Sequence, residues 1–241
     1  MGHPLIYGLL RVKNEARWIE RVIRSIQPAC VRVYVLDDHS DDGTLEICEA
    51  LGCTAFRSTF DGIHEARDKD FLLEKVWEDG AQIGDTCLMV DGDEVLHPND
   101  VELIREFELS NRAAASLRIL YLWNDERHWR ADGVYRKFYR PSLFRLTARN
   151  LTFKRTDFGG NFHCSSVPAD HIALARPIGA RLLHLGYMHA EDRIRKYNWY
   201  RSVDPNNTVE DGYRHVAQGD LPELPANARY RWGGPLQLLP L

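Results

Sequence analysis

The sequence predicts an α/β protein with a mainly parallel central sheet flanked by helices. Its 241 residues are enough for one sizeable domain of this class. Over roughly the first hundred residues, short apolar runs alternate with segments whose apolar residues recur at helical spacing. This alternation is typical of βαβ units, and polar residues follow the apolar runs, where a parallel sheet binds its ligands.

The first βαβ unit is predicted between residues 4 and 36. Residues 4–10 form a short apolar run, and residues 31–36 form a second strand rich in β-branched side chains. Between them, Pro28 ends a helix whose apolar face consists of Ile19, Val22, Ile23 and Ile26.

The same order of elements then repeats. A polar turn at residues 37–43 precedes a second amphipathic helix around Leu45, Cys48 and Leu51, and Gly52 stands where a left-handed C-cap belongs. The elements predicted after it are a short strand at residues 54–56, a helix at residues 65–79 ended by Gly80, and an apolar strand at residues 86–90.

The second half of the chain is less regular. Residues 114–123 predict a strand, residues 135–145 are basic and aromatic, and residues 191–201 predict a helix that ends before Pro205. The stretch from Gly219 onward is rich in Pro and Gly and predicts an irregular tail. No repeat or linker divides the chain, so we expect one domain over residues 1–241.

Composition limits the classes of function. The formal net charge is −4 with a pI near 6.2, which argues against nucleic-acid binding through bulk electrostatics. The five cysteines include no CxxC pair, and we expect them to be reduced in a cytoplasmic protein. The sequence shows neither a signal peptide nor a transmembrane segment, so we expect a soluble protein, compatible with peripheral association at a membrane surface.

Charged residues mark three predicted strand ends, and they should meet at one edge of the sheet. They are Arg11, Lys13, Asp37, Asp38, Asp91 and Asp93. Asp91 and Asp93 are two residues apart, so in an extended segment both carboxylates point the same way and can hold a divalent cation with a substrate diphosphate. The alternative is an exposed acidic turn, but the buried strand before Asp91 favours a site.

Four motifs in order resemble the family 2 glycosyltransferases. They are residues 11–15 (RVKNE), 36–44 (LDDHSDDGT), 65–68 (EARD) and 90–94 (VDGDE), the last containing a DxD motif. The resemblance implies the GT-A fold, with a Rossmann-like nucleotide-sugar-binding half at residues 1–110. A smaller, mixed acceptor-binding half and C-terminal segment would follow at residues 111–241.

The resemblance also implies roles for the donor site. Asp37 and Asp38 would hold the nucleobase and ribose, which favours a UDP-sugar, although the same acidic turn also suits helix capping. Arg11 and Lys13 would line the nucleotide pocket. Arg67 would contact the diphosphate, or else be a solvated helix residue, and the following Asp68 stands where relatives usually carry Asn.

Metal binding is likewise implied by the resemblance. Asp93 would be the main ligand of Mn2+ or Mg2+, and Asp91 would contact ribose or the metal through water. His184 lies in a later segment where relatives often have a metal-binding histidine, but a buried core histidine is an equal alternative. Arg195 in the same region would meet the diphosphate, unless it is merely solvated.

The general base is the least defined role. An inverting transfer needs a group that takes the proton of the acceptor hydroxyl. Some relatives place this carboxylate in a His-Glu pair, whereas here Cys164 follows His163. Asp157 is our candidate base, with Asp170 behind it, and His163 could accept a proton or bind the acceptor.

The sequence therefore predicts a metal-dependent, inverting glycosyltransferase that moves a sugar from a nucleotide-sugar to a hydroxyl acceptor. An aromatic cluster around Trp123, Trp129 and Tyr135 suits a glycan as this acceptor, or else ordinary packing. Two alternatives stay open. One is a nucleotide-sugar or glycan-binding module without catalysis, and the other is a sugar nucleotidyltransferase, which would want a glycine-rich basic loop after its first strand.

Overall fold

The computed structural model describes residues 4–154 and 164–241. They form two compact units that interleave along the chain. The first unit comprises residues 4–118, 139–154 and 164–182, and the second comprises residues 119–138 and 183–241. The candidate residues Asp157 and His163 lie outside the described residues.

The strands in the described part of the chain are β1 (Ile6–Val12), β2 (Arg32–Asp37), β3 (Thr54–Arg57), β4 (Thr86–Met89), β5 (Glu94–Leu96), β6 (Ala114–Trp123), β7 (Asp125–Arg130), β8 (Tyr139–Arg145), β9 (Arg176–His184) and β10 (Leu238–Pro240). The α-helices are α1 (Ile19–Ile26), α2 (Thr44–Ala50), α3 (Glu65–Glu78), α4 (Val101–Glu108), α5 (Ala169–Ile172) and α6 (Ala190–Val203). The elements not predicted from the sequence are strands β5, β7, β8, β9 and β10 and helices α4 and α5.

The sheet of the first unit is parallel at its centre. Strands β4, β1, β2 and β3 lie side by side in that order and are all parallel, and antiparallel β8 and the start of β6 extend the sheet beyond β4. The predicted α/β class with a mainly parallel sheet flanked by helices is confirmed. The register pairs Val12 with Asp37 and Asp37 with Arg57, so the carboxyl ends of these strands lie level.

Helices cover this sheet with their apolar residues. The four predicted residues of the α1 face, Ile19, Val22, Ile23 and Ile26, are all fully buried. Helix α3 belongs to a separate core cluster in which Leu72 and Val76 join Leu9 of β1 and Leu36 of β2. Burial of each such side chain stabilises the folded state by about 1.5–3 kcal/mol. The packed core thus holds the strands, and therefore their carboxyl ends, in place.

The second unit has an aromatic core. Trp123, Tyr135, Tyr187, Tyr197 and Tyr213 are buried together. The tail from Gly219 is irregular, as predicted, until β10 pairs with β7. The aromatic side chains predicted to suit an acceptor thus include core residues of this unit.

None of the helices in the two described segments is long and apolar enough to cross a membrane.

Candidate functional site

The ends of the parallel strands collect the predicted charged residues of the first unit. Arg11 lies within β1 and not after it, one residue before the strand ends, while Asp37 closes β2 and Asp38 follows it. Asp91 comes two residues after β4. We call this edge of the sheet the carboxyl rim.

A chain of alternating charges runs along the carboxyl rim. Lys13 lies 3.6 Å from Asp38, and the Arg11 guanidinium donates to Asp38 at 2.8 Å and to Asp68 at 2.7 Å. Asp68 also accepts a hydrogen bond from Arg67 at 2.9 Å. Asp38 is 5% exposed and Asp68 is 1% exposed, so each buried carboxylate has an arginine to offset its desolvation.

Arg67 has further partners besides Asp68. Its guanidinium donates to the backbone carbonyls of Asp61 and Gly62 at 3.2 Å and 3.0 Å, and it lies 4.4 Å from the centre of the Phe60 ring. Arg67, which was predicted to contact the diphosphate, therefore also connects the loop before α3 to the helix.

Asp37 is fully buried at the end of β2 and is only partly satisfied. One carboxylate oxygen accepts from the backbone amide of Ser40 at 3.1 Å and lies 3.4 Å from Arg57. The other, Oδ1, has no hydrogen-bond partner in the described structure. A buried acceptor in this state is costly, and a ligand donor would satisfy it.

The acidic turn after β4 is held by an arginine from another strand. Arg140 on β8 donates to Asp91 at 2.6 Å and also to Glu94. Burial, followed by the charges of Asp91 and Asp93, raises the pKa of Glu94 to about 7 in spite of Arg140. Desolvation would raise the pKa of Asp91 too, but Arg140 and Lys69 outweigh it and hold that pKa below its ordinary value.

This turn suits a divalent cation. Its side chains offer carboxylate oxygens, which Mg2+ and Mn2+ prefer. Within residues 4–154 and 164–241, no three His, Cys, Asp or Glu side chains gather into a metal-binding group. An ion held at this turn would therefore need to take part of its oxygen shell from another source, such as substrate phosphates.

His184 and Arg195 belong to the second unit. His184 is 8% exposed, and its ring lies 4.7 Å from that of Tyr121 and 4.6 Å from that of Tyr187. Arg195 is largely exposed on α6 and forms a hydrogen bond with Asp192 at 3.2 Å. His184 therefore occupies an aromatic environment, and its role as a metal ligand stays a prediction.

The residues considered for the general base differ in their surroundings. Asp170 is exposed at the start of α5. Cys164 donates its backbone amide to Glu65 at 3.0 Å, and burial raises the pKa of its thiol to about 11. This thiol is protonated at neutral pH, so it does not replace a carboxylate as the base.

Lys69 and Arg140 were not among the predicted site residues. The Lys69 ammonium is buried against Glu65 at 3.3 Å and the carbonyls of Cys164 and Ser165 at 3.2 Å and 3.3 Å. A sequence signal existed for Arg140 in the basic segment of residues 135–145, but placing it required the pairing of β4 with β8.

An open cleft adjoins the chain of charges at Arg67, which lines it. That cleft has a volume of about 600 Å3 and is lined in part by Phe60, His64, Asp70, Phe71 and Phe153. Neither Asp91 nor Asp93 lines it. Charge geometry, and not an enclosed volume, therefore defines the candidate site.

Solved structures give a partial likeness. Glucosyl-3-phosphoglycerate synthase from Mycobacterium tuberculosis, in complex with Mn2+, UDP and glucosyl-3-phosphoglycerate, is 22% identical, with 49% of this chain and 44% of that chain covered and a TM-score of 0.37. S. aureus TarS is 12% identical, with 88% of this chain and 42% of that chain covered and a TM-score of 0.49. The chain thus spans less than half the length of either structure. No curated protein matches its sequence.

A family model gives the stronger result. The model described as glycosyl transferase family 2 matches residues 10–167, well over half of the chain. The matched range includes Arg11, Asp37, Arg67 and the acidic turn at Asp91, all of which lie in the first unit. The predicted enzyme class and GT-A fold are those of this family. The chain belongs to glycosyl transferase family 2.

Proposed function

We propose that the protein is a metal-dependent, inverting glycosyltransferase that takes its sugar from a nucleotide-sugar, with UDP favoured as the nucleotide. The observation that carries the proposal is the carboxyl rim, where Arg11 pairs with Asp38 and where Arg11, Asp37 and Asp91 lie at or near the ends of three neighbouring parallel strands. Ligands of open α/β sheets bind at such an edge.

In this proposal Asp37 and Asp38 bind the nucleoside. The buried Oδ1 of Asp37 is an acceptor without a hydrogen-bond partner among the described residues, and the N3–H of uracil is a donor that would satisfy it. Arg11 and Lys13 both pair with Asp38 and offset its negative charge. This part of the rim can therefore accept a negatively charged nucleotide. This reasoning supports uridine without excluding other nucleosides.

Arg11 and Lys13 are proposed to line the nucleotide pocket, Arg67 to contact the diphosphate, and Asp93 with Asp91 to be metal ligands. For His184 and Arg195 of the second unit, the roles of metal ligand and diphosphate partner remain predictions from the resemblance. When bound, the divalent cation stabilises negative charge on the departing diphosphate. Asp93 is 3% exposed and lies in the acidic turn between β4 and β5, and we propose it as the main ligand on the family resemblance.

The chemical step we propose is a direct displacement. The oxygen of an acceptor hydroxyl forms a bond to the anomeric carbon while the bond to the diphosphate breaks, and a base takes the hydroxyl proton. Asp157 is the proposed base, with His163 as a second proton acceptor or acceptor-binding residue. A glycan is the favoured acceptor class.

A non-catalytic binding module is the second candidate, and the Cys164 thiol favours it. With a pKa near 11, this thiol leaves the position of a family carboxylate without a base at neutral pH. The first function then depends on Asp157 or His163 to supply one.

The test is UDP release from a panel of UDP-sugars with Mn2+, compared among wild type, Asp93→Ala, Asp157→Asn and the control Glu102→Ala. Glu102 is an exposed acid on α4. We expect Asp93→Ala to lose on the order of a hundredfold or more in kcat/KM, because it removes a charge that positions the leaving group. Asp157→Asn should retain UDP binding but lose transfer, and Glu102→Ala should match wild type.

Three results would contradict parts of the proposal. Wild-type activity in Asp93→Ala would remove the metal assignment, and wild-type activity in Asp157→Asn would remove the proposed base. UDP binding without turnover of any donor or acceptor would favour the binding module.

A further inference from the structure

Arg140 bridges the two ends of the acidic turn. One guanidinium nitrogen donates to Asp91 at 2.6 Å, the second donates to Glu94, and Nε lies 3.3 Å from the hydroxyl of Ser142. Its side chain is 20% exposed, whereas that of Glu94 is 1% exposed. The arginine thus contacts both ends of the turn and remains in contact with solvent.

The strand register explains this placement. Strand β8 pairs antiparallel with β4, with Thr86 opposite Arg145 and Leu88 opposite Leu143. Continued past the end of β4, the same register sets Arg140 opposite Asp91. The pair therefore follows from the central sheet and does not depend on a flexible loop.

The electrostatic role of Arg140 follows from the charges around it. Asp91, Asp93 and Glu94 place three carboxyl groups within four residues, and Asp93 and Glu94 are buried at 3% and 1% exposure. Such a group is costly without compensating positive charge. Arg140 supplies one such charge, in the fork geometry that suits two carboxylates.

A divalent cation at this turn would compete with Arg140. The Asp91 oxygen that accepts from Arg140 belongs to a carboxylate proposed to contact the metal. A cation held there would repel a guanidinium at hydrogen-bond distance from the same carboxylate. The diphosphate of the donor, in contrast, would attract the displaced guanidinium, and 20% exposure leaves Arg140 room to turn outward.

We propose that Arg140 is the counter-ion of the acidic turn before the donor binds, and that it moves to the donor diphosphate when the metal ion arrives. Arg140 is then a positioning residue that couples metal binding to nucleotide binding. The metal alone binds weakly because it must displace the arginine, and the metal with UDP binds tightly because the arginine gains a new anionic partner. This inference rests on the proposed function, namely that the turn binds a divalent cation.

The test is a binding cycle that needs no turnover. Mn2+ affinity is measured by electron paramagnetic resonance with and without UDP in wild type, Arg140→Gln and Arg140→Lys. Arg32→Gln is the matched control, because Arg32 also pairs with a carboxylate at 2.6 Å (Asp79) but does so at the start of β2, away from the carboxyl rim. It removes the same charge from the same unit.

We expect Arg140→Gln to bind Mn2+ alone on the order of tenfold more tightly than wild type, because a like charge is gone. The gain in Mn2+ affinity on adding UDP should shrink, because glutamine has no positive charge to offer the diphosphate. By linkage, the gain in UDP affinity on adding Mn2+ should shrink by the same factor. Arg140→Lys, which keeps the charge, and Arg32→Gln should both stay near wild type without UDP. Unchanged Mn2+ affinity and unchanged coupling in Arg140→Gln would overturn the proposal.

Folding and the underlying site are controlled separately. If Arg140→Gln is unstable, its melting temperature is compared in EDTA and in Mn2+, with Arg140→Met as a second neutral variant. A larger Mn2+-dependent rise than in wild type supports the proposal, and an equal or smaller rise in both variants contradicts it. Asp93→Ala tests the proposed metal site separately from the role of Arg140. Mn2+ binding that survives this change would contradict the metal site itself.

Discussion

At the scale of single residues, Gly92 shows how tightly the acidic turn is packed. A Cβ atom on Gly92 would lie 2.8 Å from Cγ of Glu15 and 3.1 Å from Cγ1 of Val12. The turn therefore presses against the loop that follows β1. Glycine is needed here because of close approach and not because of a left-handed backbone.

We expect Gly92→Ala to lower the free energy of unfolding by about 1–3 kcal/mol, because the neighbouring atoms must shift to admit a methyl group. Urea denaturation measures the loss. Gly179→Ala is the control, since its Cβ would meet only the end of the Leu103 side chain, at 3.3 Å. Equal losses in the two variants would show that Gly92 is not specially confined.

Part of the candidate site could be predicted residue by residue. Arg11, Asp37 and Asp91 were predictable together because the carboxyl ends of parallel strands meet at one edge. Arg140 was not, because its place opposite Asp91 depends on an antiparallel register between strands far apart in the chain. Such a register is set by tertiary packing and leaves no local pattern.

At the scale of elements, Asp68 joins α3 to the sheet. Its buried carboxylate accepts from Arg11 of β1 on one oxygen and from Arg67 of α3 on the other. The resemblance made this position uncertain, because relatives usually carry Asn here. In this chain Asp68 has two carboxylate oxygens, so Arg11 and Arg67 each have their own acceptor.

Asp68→Asn should therefore destabilise the protein, by about 3 kcal/mol, because an amide group would be buried against a guanidinium with both charge pairs lost. Unfolding in urea provides the measurement. In the control Asp79→Asn, the exposed pair with Arg32 is worth only about 0–1 kcal/mol. A loss in Asp68→Asn no greater than in this control would refute the anchoring role.

Helices and strands could be predicted from the sequence where their apolar residues form a complete pattern. Helix α1 was predicted because its four apolar residues form an unbroken face, all buried. Strand β9 was missed because Pro177 and Gly179 fall inside it and are typical of turns. Helix α4 buries only Ile104 and Phe107 among its own residues, too few for a clear periodicity.

At the scale of the whole molecule, buried titratable groups make stability depend on pH. In the second unit, burial and the charge of Asp204 raise the pKa of Glu210 from 4.5 to about 7. Burial and the charge of Arg130 lower the pKa of His215, 3.8 Å from Glu210, from 6.5 to about 3. Glu210 thus favours folding at lower pH, whereas His215 favours it at higher pH.

The folded state holds the Glu210 proton more tightly than the unfolded chain does, so this stabilisation is complete below about pH 4.5 and is lost as the pH rises to about 7. Glu210→Gln removes that dependence. Between pH 5 and pH 8, we expect the free energy of unfolding of the variant to rise by up to about 3 kcal/mol relative to that of wild type. Urea unfolding at pH 5, 6, 7 and 8 measures this gain.

The exposed Glu223 provides the control, since Glu223→Gln should show no such trend. A difference between Glu210→Gln and wild type that stays constant from pH 5 to pH 8 would rule out a raised pKa at Glu210. If the Glu210→Gln variant is unfolded at every pH tested, Glu210 is instead required for packing.

The position of β8 between β4 and β6 has a consequence for synthesis on the ribosome. Strands β1 to β4 emerge first and can pair with one another at once, but β4 keeps one edge open until β8 has been made. At roughly 5–20 residues per second, that edge stays uncovered for several seconds in each nascent chain. An unpaired strand edge can pair with other chains, so the nascent protein is more prone to aggregation during this interval than after β8 has paired.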